Sequence, residues 1–292
     1  MFSESTLRRL DRLALVAQRV RAGVFKGERR STKRGTSIEF ADYRDYVRGD
    51  DLRRIDWNAY ARLERPFIKL LEEEEDLAVH VLVDASLSMG FGQGETRKLD
   101  YACKLAAAFG YLALAAGDRL SVSVLNGEEV AARFGPARNR GFALRLIRFL
   151  EDVEPAGDTR LNAALRDYAL TGGRPGLTFV ISDLFAPDGH ADGLAQLQGR
   201  GHEVVVVHTL APIEVEPDFA GDVRLVDAET QDFQEVTLDG GLRDLYHTRL
   251  TDWRNEIDAY CTKRGMHYVP VVTDEPWDQL VLHQLRQRGL VK

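Results

Sequence analysis

The chain has 292 residues, 44% apolar and 29% charged, with a net charge of −7. That length and composition suit a globular protein of one large domain, or of one domain plus a smaller appendage, and the acidic balance disfavours a nucleic-acid binder. Its two cysteines, Cys103 and Cys261, lie far apart in helix-like sequence and exclude a disulfide framework or a cysteine-built zinc site.

Charge is unevenly placed. Residues 1–35 carry ten Lys/Arg against Glu4, Asp11 and Glu28, a net of +7 that leaves −14 for the rest. A basic arm on an acidic body accounts for this, and docking to an acidic partner protein is the alternative. The stretch lacks the interleaved aromatics that stack bases. The start, Met1-Phe2-Ser3-Glu4, has no basic-then-apolar signal layout, so a cytoplasmic location is expected.

The spacing of Leu7, Leu10, Leu13, Ala14 and Ala17 predicts a helix over 4–22. Residues 23–37 read as a Gly/Lys/Arg/Ser-rich loop. Gly49-Asp50-Asp51 reads as a turn into a helix start with an aspartate cap, and Pro66 to Leu71 as a strand. Arg53, Arg54 and Arg62 near Asp50, Asp51 and Asp56 suggest an ion-pair network, with Trp57 and Tyr46 as apolar anchors. The same arginines are candidates for a partner-docking surface.

From Leu77 the pattern alternates. Strands are predicted at 77–84, 120–125, 129–134, 177–183, 203–208 and 267–272. Helices are predicted at 98–116, 140–151, 160–171, 188–199, 243–264 and 276–288. The longest apolar run, Leu105 to Ala116, is too short for a membrane span. This order implies an α/β fold with a doubly wound, mostly parallel sheet. The runs at 77–84, 177–183 and 203–208 are near-continuously apolar, as strands covered on both faces should be. Residues 212–239 break the rhythm, and Val223–Val226 with Glu235–Leu238 suggest a small antiparallel insertion. The resulting division is an α+β appendage over 1–76 and a sheet domain over 77–292.

His-Val-Leu-Val-Asp-Ala-Ser-Leu-Ser, residues 80–88, ends an apolar strand in Asp84-x-Ser86-x-Ser88. One carboxylate and two hydroxyls at that spacing are hard oxygen donors suited to Mg²⁺ or Mn²⁺. Gly157-Asp158-Thr159 opens a predicted helix, and the strand at 177–183 ends in Asp183. Ligands of open α/β sheets collect beyond the carboxyl ends of strands, where connections diverge. If strands 77–84 and 177–183 are neighbours there, Asp84, Ser86, Ser88, Thr159 and Asp183 surround one cavity.

That set, in this order on these elements, resembles the metal-ion-dependent adhesion site of von Willebrand factor A domains, whose Rossmann-type sheet it also implies. By the resemblance Ser86, Ser88 and Thr159 bind the ion directly, the aspartates bind directly or through water, and a partner's carboxylate completes the coordination. A second resemblance rests on Gly35-Thr36-Ser37-Ile38-Glu39-Phe40, Arg44-Asp45-Tyr46, Gly49-Asp50-Asp51-Leu52-Arg53-Arg54-Ile55-Asp56-Trp57 and Ala61-Arg62. These look like the bacterial domain-of-unknown-function family fifty-eight. That family typically sits beside MoxR-type AAA+ ATPases, which implies an ATPase partner and a client protein.

The chain lacks G-x-x-x-x-G-K-[ST], so ATP hydrolysis by a phosphate loop is not expected. Gly90-Phe91-Gly92-Gln93-Gly94 reads as a flexible rim of the site. The seven histidines show no metal spacing, and His80 and His208 fall in strand-like runs. The reading is therefore a non-enzymatic, metal-dependent interaction module. The alternatives are a metal-free scaffold and a Mg²⁺-dependent phosphoryl-transfer enzyme using Asp84, the latter disfavoured because no lysine is seen to approach the site.

Overall fold

The computed structural model describes residues 10, 13, 15–17, 38–47, 50–73, 77–217, 221–227, 229, 232–238 and 240–291. They form two compact units, one of residues 27–76 and one that joins 1–26 to 77–292. The described residues up to Ala17 thus belong with the sheet unit, whereas the sequence pattern assigns all of 1–76 to one appendage.

The smaller unit pairs strand β1 (Ile38–Asp45) antiparallel with β2 (Phe67–Glu73), with a register shift between Phe40 and Asp42. Between them lie a 3₁₀ turn over Leu52–Arg54 and helix α1 (Trp57–Leu63). Asp51 caps the turn by accepting from the Arg53 N–H, and Asp56 caps α1 by accepting from the Asn58 and Ala59 N–H groups. Asp50 pairs with Arg44, Nη2 to Oδ1 at 2.9 Å, an arginine outside the expected set. Arg53 and Arg62 are exposed, and the Arg54 side chain lies outside the described residues. Trp57 is 61% exposed and meets Tyr60 edge to face, so it is no buried anchor. Gly49 lies outside the described residues, as does the 23–37 loop.

The larger unit runs β3 (Ala78–Asp84), α2 (Lys98–Ala116), β4 (Arg119–Asn126), β5 (Glu129–Ala137), α3 (Ala143–Glu151), α4 (Leu161–Thr171), β6 (Leu177–Ser182), α5 (Ala191–Gly199) and β7 (Glu203–Leu210). It continues with a single turn α6 (Pro212–Val215), the hairpin β8 (Gly221–Val226) and β9 (Phe233–Leu238), α7 (Gly240–Arg264), β10 (His267–Val272) and a helical stretch over 277–287. Six strands form one sheet in the order β10-β7-β6-β3-β4-β5. All neighbours are parallel except β5, which turns back antiparallel along β4 at the edge. The molecule is therefore α/β, with a mostly parallel sheet flanked by helices.

Burial follows the apolar pattern. Every residue of β3, β6 and β7 is buried, whereas edge strand β5 is mostly exposed. One face of the sheet packs on α2, where Phe109 stacks on Phe179 with ring centroids 4.2 Å apart. At Gly110 a Cβ would come within 2.5 Å of Leu146 Cδ2, so α2 packs closely on α3 there and a larger residue would have to displace that side chain. The other face carries α4, α5 and part of α7 through Leu165, Leu194 and Ile257.

One expectation is extended in this unit and one is corrected. Helix α2 has 19 residues and is long and apolar enough to cross a membrane by length and composition, although 105–116 alone is not. Here it is the core helix, buried along most of its length. The predicted helix over 4–22 is absent at Leu13 and 15–17. Leu15 instead forms an antiparallel bridge with Val291, and the Val16 N–H donates to the Leu290 carbonyl. Leu10 is helical as expected, but burying Leu15 and Ala17 against the core outweighs their helical spacing.

Candidate metal centre

Strands β3 and β6 lie side by side, with Val83 opposite Ile181. The connection after β3 leads to α2 on one face, and that after β6 leads to α5 on the other. Their carboxyl ends thus form the divergence where α/β sheets bind ligands. Asp84, Ser86, Ser88 and Thr159 form a hydrogen-bonded series there, and Asp183 lies near enough for its charge to act on Asp84.

The loop after β3 presents the first three. Asp84 is buried, and its Oδ1 accepts from the Ser86 N–H at 3.0 Å while its Oδ2 accepts from the Ser182 hydroxyl at 2.6 Å. The Ser86 and Ser88 hydroxyl oxygens are 3.1 Å apart. A second loop is stitched to the first by two backbone bonds, Ala156 N–H to the Ala85 carbonyl and Leu87 N–H to the Gly157 carbonyl. This brings the Thr159 hydroxyl to 3.4 Å from that of Ser88. Gly157 makes the approach possible, for it has φ of 69° and a Cβ there would lie 2.2 Å from Asn126 Oδ1.

Asp183 follows β6 and is fully buried. Its Oδ1 accepts from the Phe185 N–H at 3.1 Å, and its Oδ2 accepts from the Lys98 ammonium at 2.7 Å. The backbone turns sharply at Leu184, a non-glycine residue at φ of 59°, where the Leu184 N–H donates to the Ser182 hydroxyl. From β7, His208 Nε2 donates to the Asp183 carbonyl at 3.0 Å and its Nδ1 accepts from the Tyr268 hydroxyl. Burial lowers the His208 pKa to about 3, which keeps the ring neutral.

These donors fit a small hard cation. An octahedral ion with oxygens at about 2.0–2.1 Å has adjacent ligands about 3 Å apart, and the three hydroxyls stand at 3.1 and 3.4 Å. Burial, then the nearby charge of Asp183, raises the Asp84 pKa to about 6. A divalent ion would relieve both penalties. Among the described residues no group of three or more His, Cys, Asp and Glu side chains is placed to hold a metal. A site here would therefore depend on hydroxyl oxygens.

Lys98, Glu214, Ser182 and Glu229 are not foreseeable as neighbours of the site from the sequence pattern. The Lys98 ammonium is fully buried and bridges Asp183 and Glu214, the latter at 2.6 Å. This corrects the expectation that no lysine approaches. The available signal is a cation at the first position of a predicted helix, where the macrodipole disfavours it unless acidic partners stand nearby. The rings of Phe91 and Phe185 lie 5.7 and 5.3 Å from the ammonium. The rim carrying Phe91 is not loosely built either. It folds into 3₁₀ turns over Leu87–Gly90 and Gly94–Thr96, and at Gly92 a Cβ would meet the Thr96 carbonyl at 2.5 Å.

Comparison with known proteins places the chain among relatives. An uncharacterized protein of Mycobacterium tuberculosis is 30% identical over 271 residues, which cover 92% of this chain and 85% of that one. An uncharacterized protein of Mycobacterium avium is 32% identical over 118 residues, 40% of this chain and 69% of that one. Among solved structures, BatB from Bacteroides thetaiotaomicron aligns with a TM-score of 0.45 at 16% identity, covering 73% of this chain and 98% of that one. An aerotolerance-related membrane protein from Bacteroides fragilis aligns with a TM-score of 0.44 at 17% identity, covering 72% and 99%. The model of the protein of unknown function DUF58 matches residues 42–256, a span that takes in all five residues of the site, and this chain therefore belongs to the DUF58 family.

Proposed function

We propose that this protein is a non-enzymatic, metal-dependent interaction module of von Willebrand A type. Ser86, Ser88 and Thr159 hold Mg²⁺ or Mn²⁺ with Asp84 and Asp183, and the ion captures a carboxylate from a client protein. The protein works in the cytoplasm as adaptor to a MoxR-type AAA+ ATPase, which drives chaperone-like remodelling of the client. Arg53, Arg54 and Arg62 are the proposed contact with the ATPase.

The observation that carries this reading is the meeting of three hydroxyl oxygens from two loops, at octahedral-edge spacing, beside a buried carboxylate at the sheet's divergence. The family's expected place beside AAA+ ATPases supports the partner. Lys98 supplies a cation near Asp84, but the position two residues on is Ser86 and not a second acid or proton donor, which disfavours phosphoryl transfer.

Client capture from a cell extract, with and without chelator and repeated with Asp84→Ala, tests the reading. Capture abolished by both treatments is the expected result. Capture that survives both rejects metal-mediated recognition, and steady hydrolysis of a phosphate ester by the Mg²⁺-loaded protein rejects the non-enzymatic role.

A further inference from the structure

Glu229 lies in the connection between β8 and β9, where its N–H donates to Asp227 Oδ1 at 2.8 Å. Its carboxylate takes both donors of one residue of the site. The Thr159 N–H donates to Oε2 at 2.9 Å, and the Thr159 hydroxyl donates to Oε1. Thr159 is itself buried and Glu229 half-buried, so the contact is partly shielded from solvent.

A hydroxyl has one proton and two acceptor lone pairs. To ligate a cation it must present a lone pair, so its O–H points away from the ion and donates to another acceptor. Ser88 stands on one side of Thr159 Oγ1 at 3.4 Å, and Glu229 accepts from the O–H on another. The carboxylate also adds negative charge close to a donor set that carries little of its own.

We propose that Glu229 is the outer-sphere carboxylate of the metal centre: it accepts the hydrogen bond of the Thr159 hydroxyl, which stays protonated, and so leaves that oxygen's lone pair free for the ion. The β8–β9 hairpin then sets how tightly the ion is held, and a partner that pulls on the hairpin weakens the site without touching it. This rests on the metal-binding reading above. Outer-sphere acceptors of this kind typically change metal affinity by 10–100-fold.

The test uses the full chain and Mn²⁺ alone. Free Mn²⁺ is followed by electron paramagnetic resonance, and water-proton relaxation counts the waters on the bound ion. Glu229→Ala is expected to weaken Mn²⁺ binding by roughly 10–100-fold with the water count unchanged. Glu229→Gln is expected to fall between, because its amide oxygen still accepts from the hydroxyl while its NH₂ opposes the Thr159 N–H. Unfolding in chelator is measured for each variant, and Glu229→Gln keeps the test open if Glu229→Ala does not fold. Unchanged Mn²⁺ affinity with a lowered melting temperature in chelator would make Glu229 a mere tether and overturn the proposal. One additional water on the ion in Glu229→Ala would make it a direct ligand and also overturn it. Failure of the unaltered protein to bind Mn²⁺ removes the metal reading itself, and this proposal with it.

Discussion

The ammonium of Lys98, 1% exposed, stands 2.7 Å from the fully buried carboxylate of Asp183. A second carboxylate, Glu214, closes on the same ammonium at 2.6 Å and also accepts from the Ala211 N–H. Removing one partner of a buried pair leaves a charge in low dielectric. Lys98→Met is expected to destabilise the chain by about 3–5 kcal/mol in urea unfolding. Adding Glu214→Leu should recover part of the loss. A Lys98→Met protein as stable as the original would show that the pair contributes little.

Asp84 accepts two hydrogen bonds, from the Ser86 N–H and the Ser182 hydroxyl. Asp84→Ala leaves those buried donors unpaired, at about 1–3 kcal/mol. A bound ion at a hundredfold excess over its Kd adds about 2.7 kcal/mol to the native state. The unaltered protein should therefore melt higher with Mg²⁺, and Asp84→Ala should melt lower and not respond. An equal rise in both would place any Mg²⁺ site elsewhere.

Gly157 combines a φ of 69° with a Cβ position 2.2 Å from Asn126 Oδ1. Gly157→Ala is expected to cost about 1–2 kcal/mol from the left-handed backbone, and to draw the Thr159 loop away from Ser88. Thermal melting measures the first effect and Mn²⁺ titration the second. Retained Mn²⁺ affinity would show that the loop tolerates the shift.

Beneath the sheet, Tyr168 hydrogen-bonds His80 Nδ1, and the His80 and His202 rings meet edge to face at 5.1 Å. Burial lowers both histidines to a pKa of about 4. The unfolded chain, at about 6.5, then binds more protons than the native one between these values, and stability falls as pH drops through that window. From pH 7 to pH 5 each ring should account for about 2 kcal/mol of lost stability. Urea unfolding at both pH values checks this, with His80→Gln expected to flatten the decline. An identical decline in that variant would assign it to other groups.

The sheet is legible because its order depends on period and length. All six strands of the main sheet can be read within a few residues, since fully apolar runs such as Val204–Val207 leave few alternatives. Helix α2 is readable to both ends, and Gly117 closes it at φ of 80°. The N-terminal pattern holds at Leu10 and misleads from Leu13 on, because Leu15 is spent on a bridge to Val291, which spacing alone cannot register. At the site, Asp84, Ser86 and Ser88 announce themselves by adjacency. Thr159 and Asp183 need the assumption that β3 and β6 are neighbours. Lys98, Glu214 and Glu229 stay hidden because each reaches the site from another element, and ion pairs between distant elements leave no periodic trace.

Leu15 and Val291, far apart in sequence, form an antiparallel bridge. That bridge can form only after residue 291 has left the ribosome, whereas β3, β4, α2 and β6 can settle earlier in synthesis. The N-terminal segment must therefore wait, unpaired, beside a sheet that is already assembling. Its docking is expected to be a late event in folding, and the segment should peel away early when the sheet unit is strained.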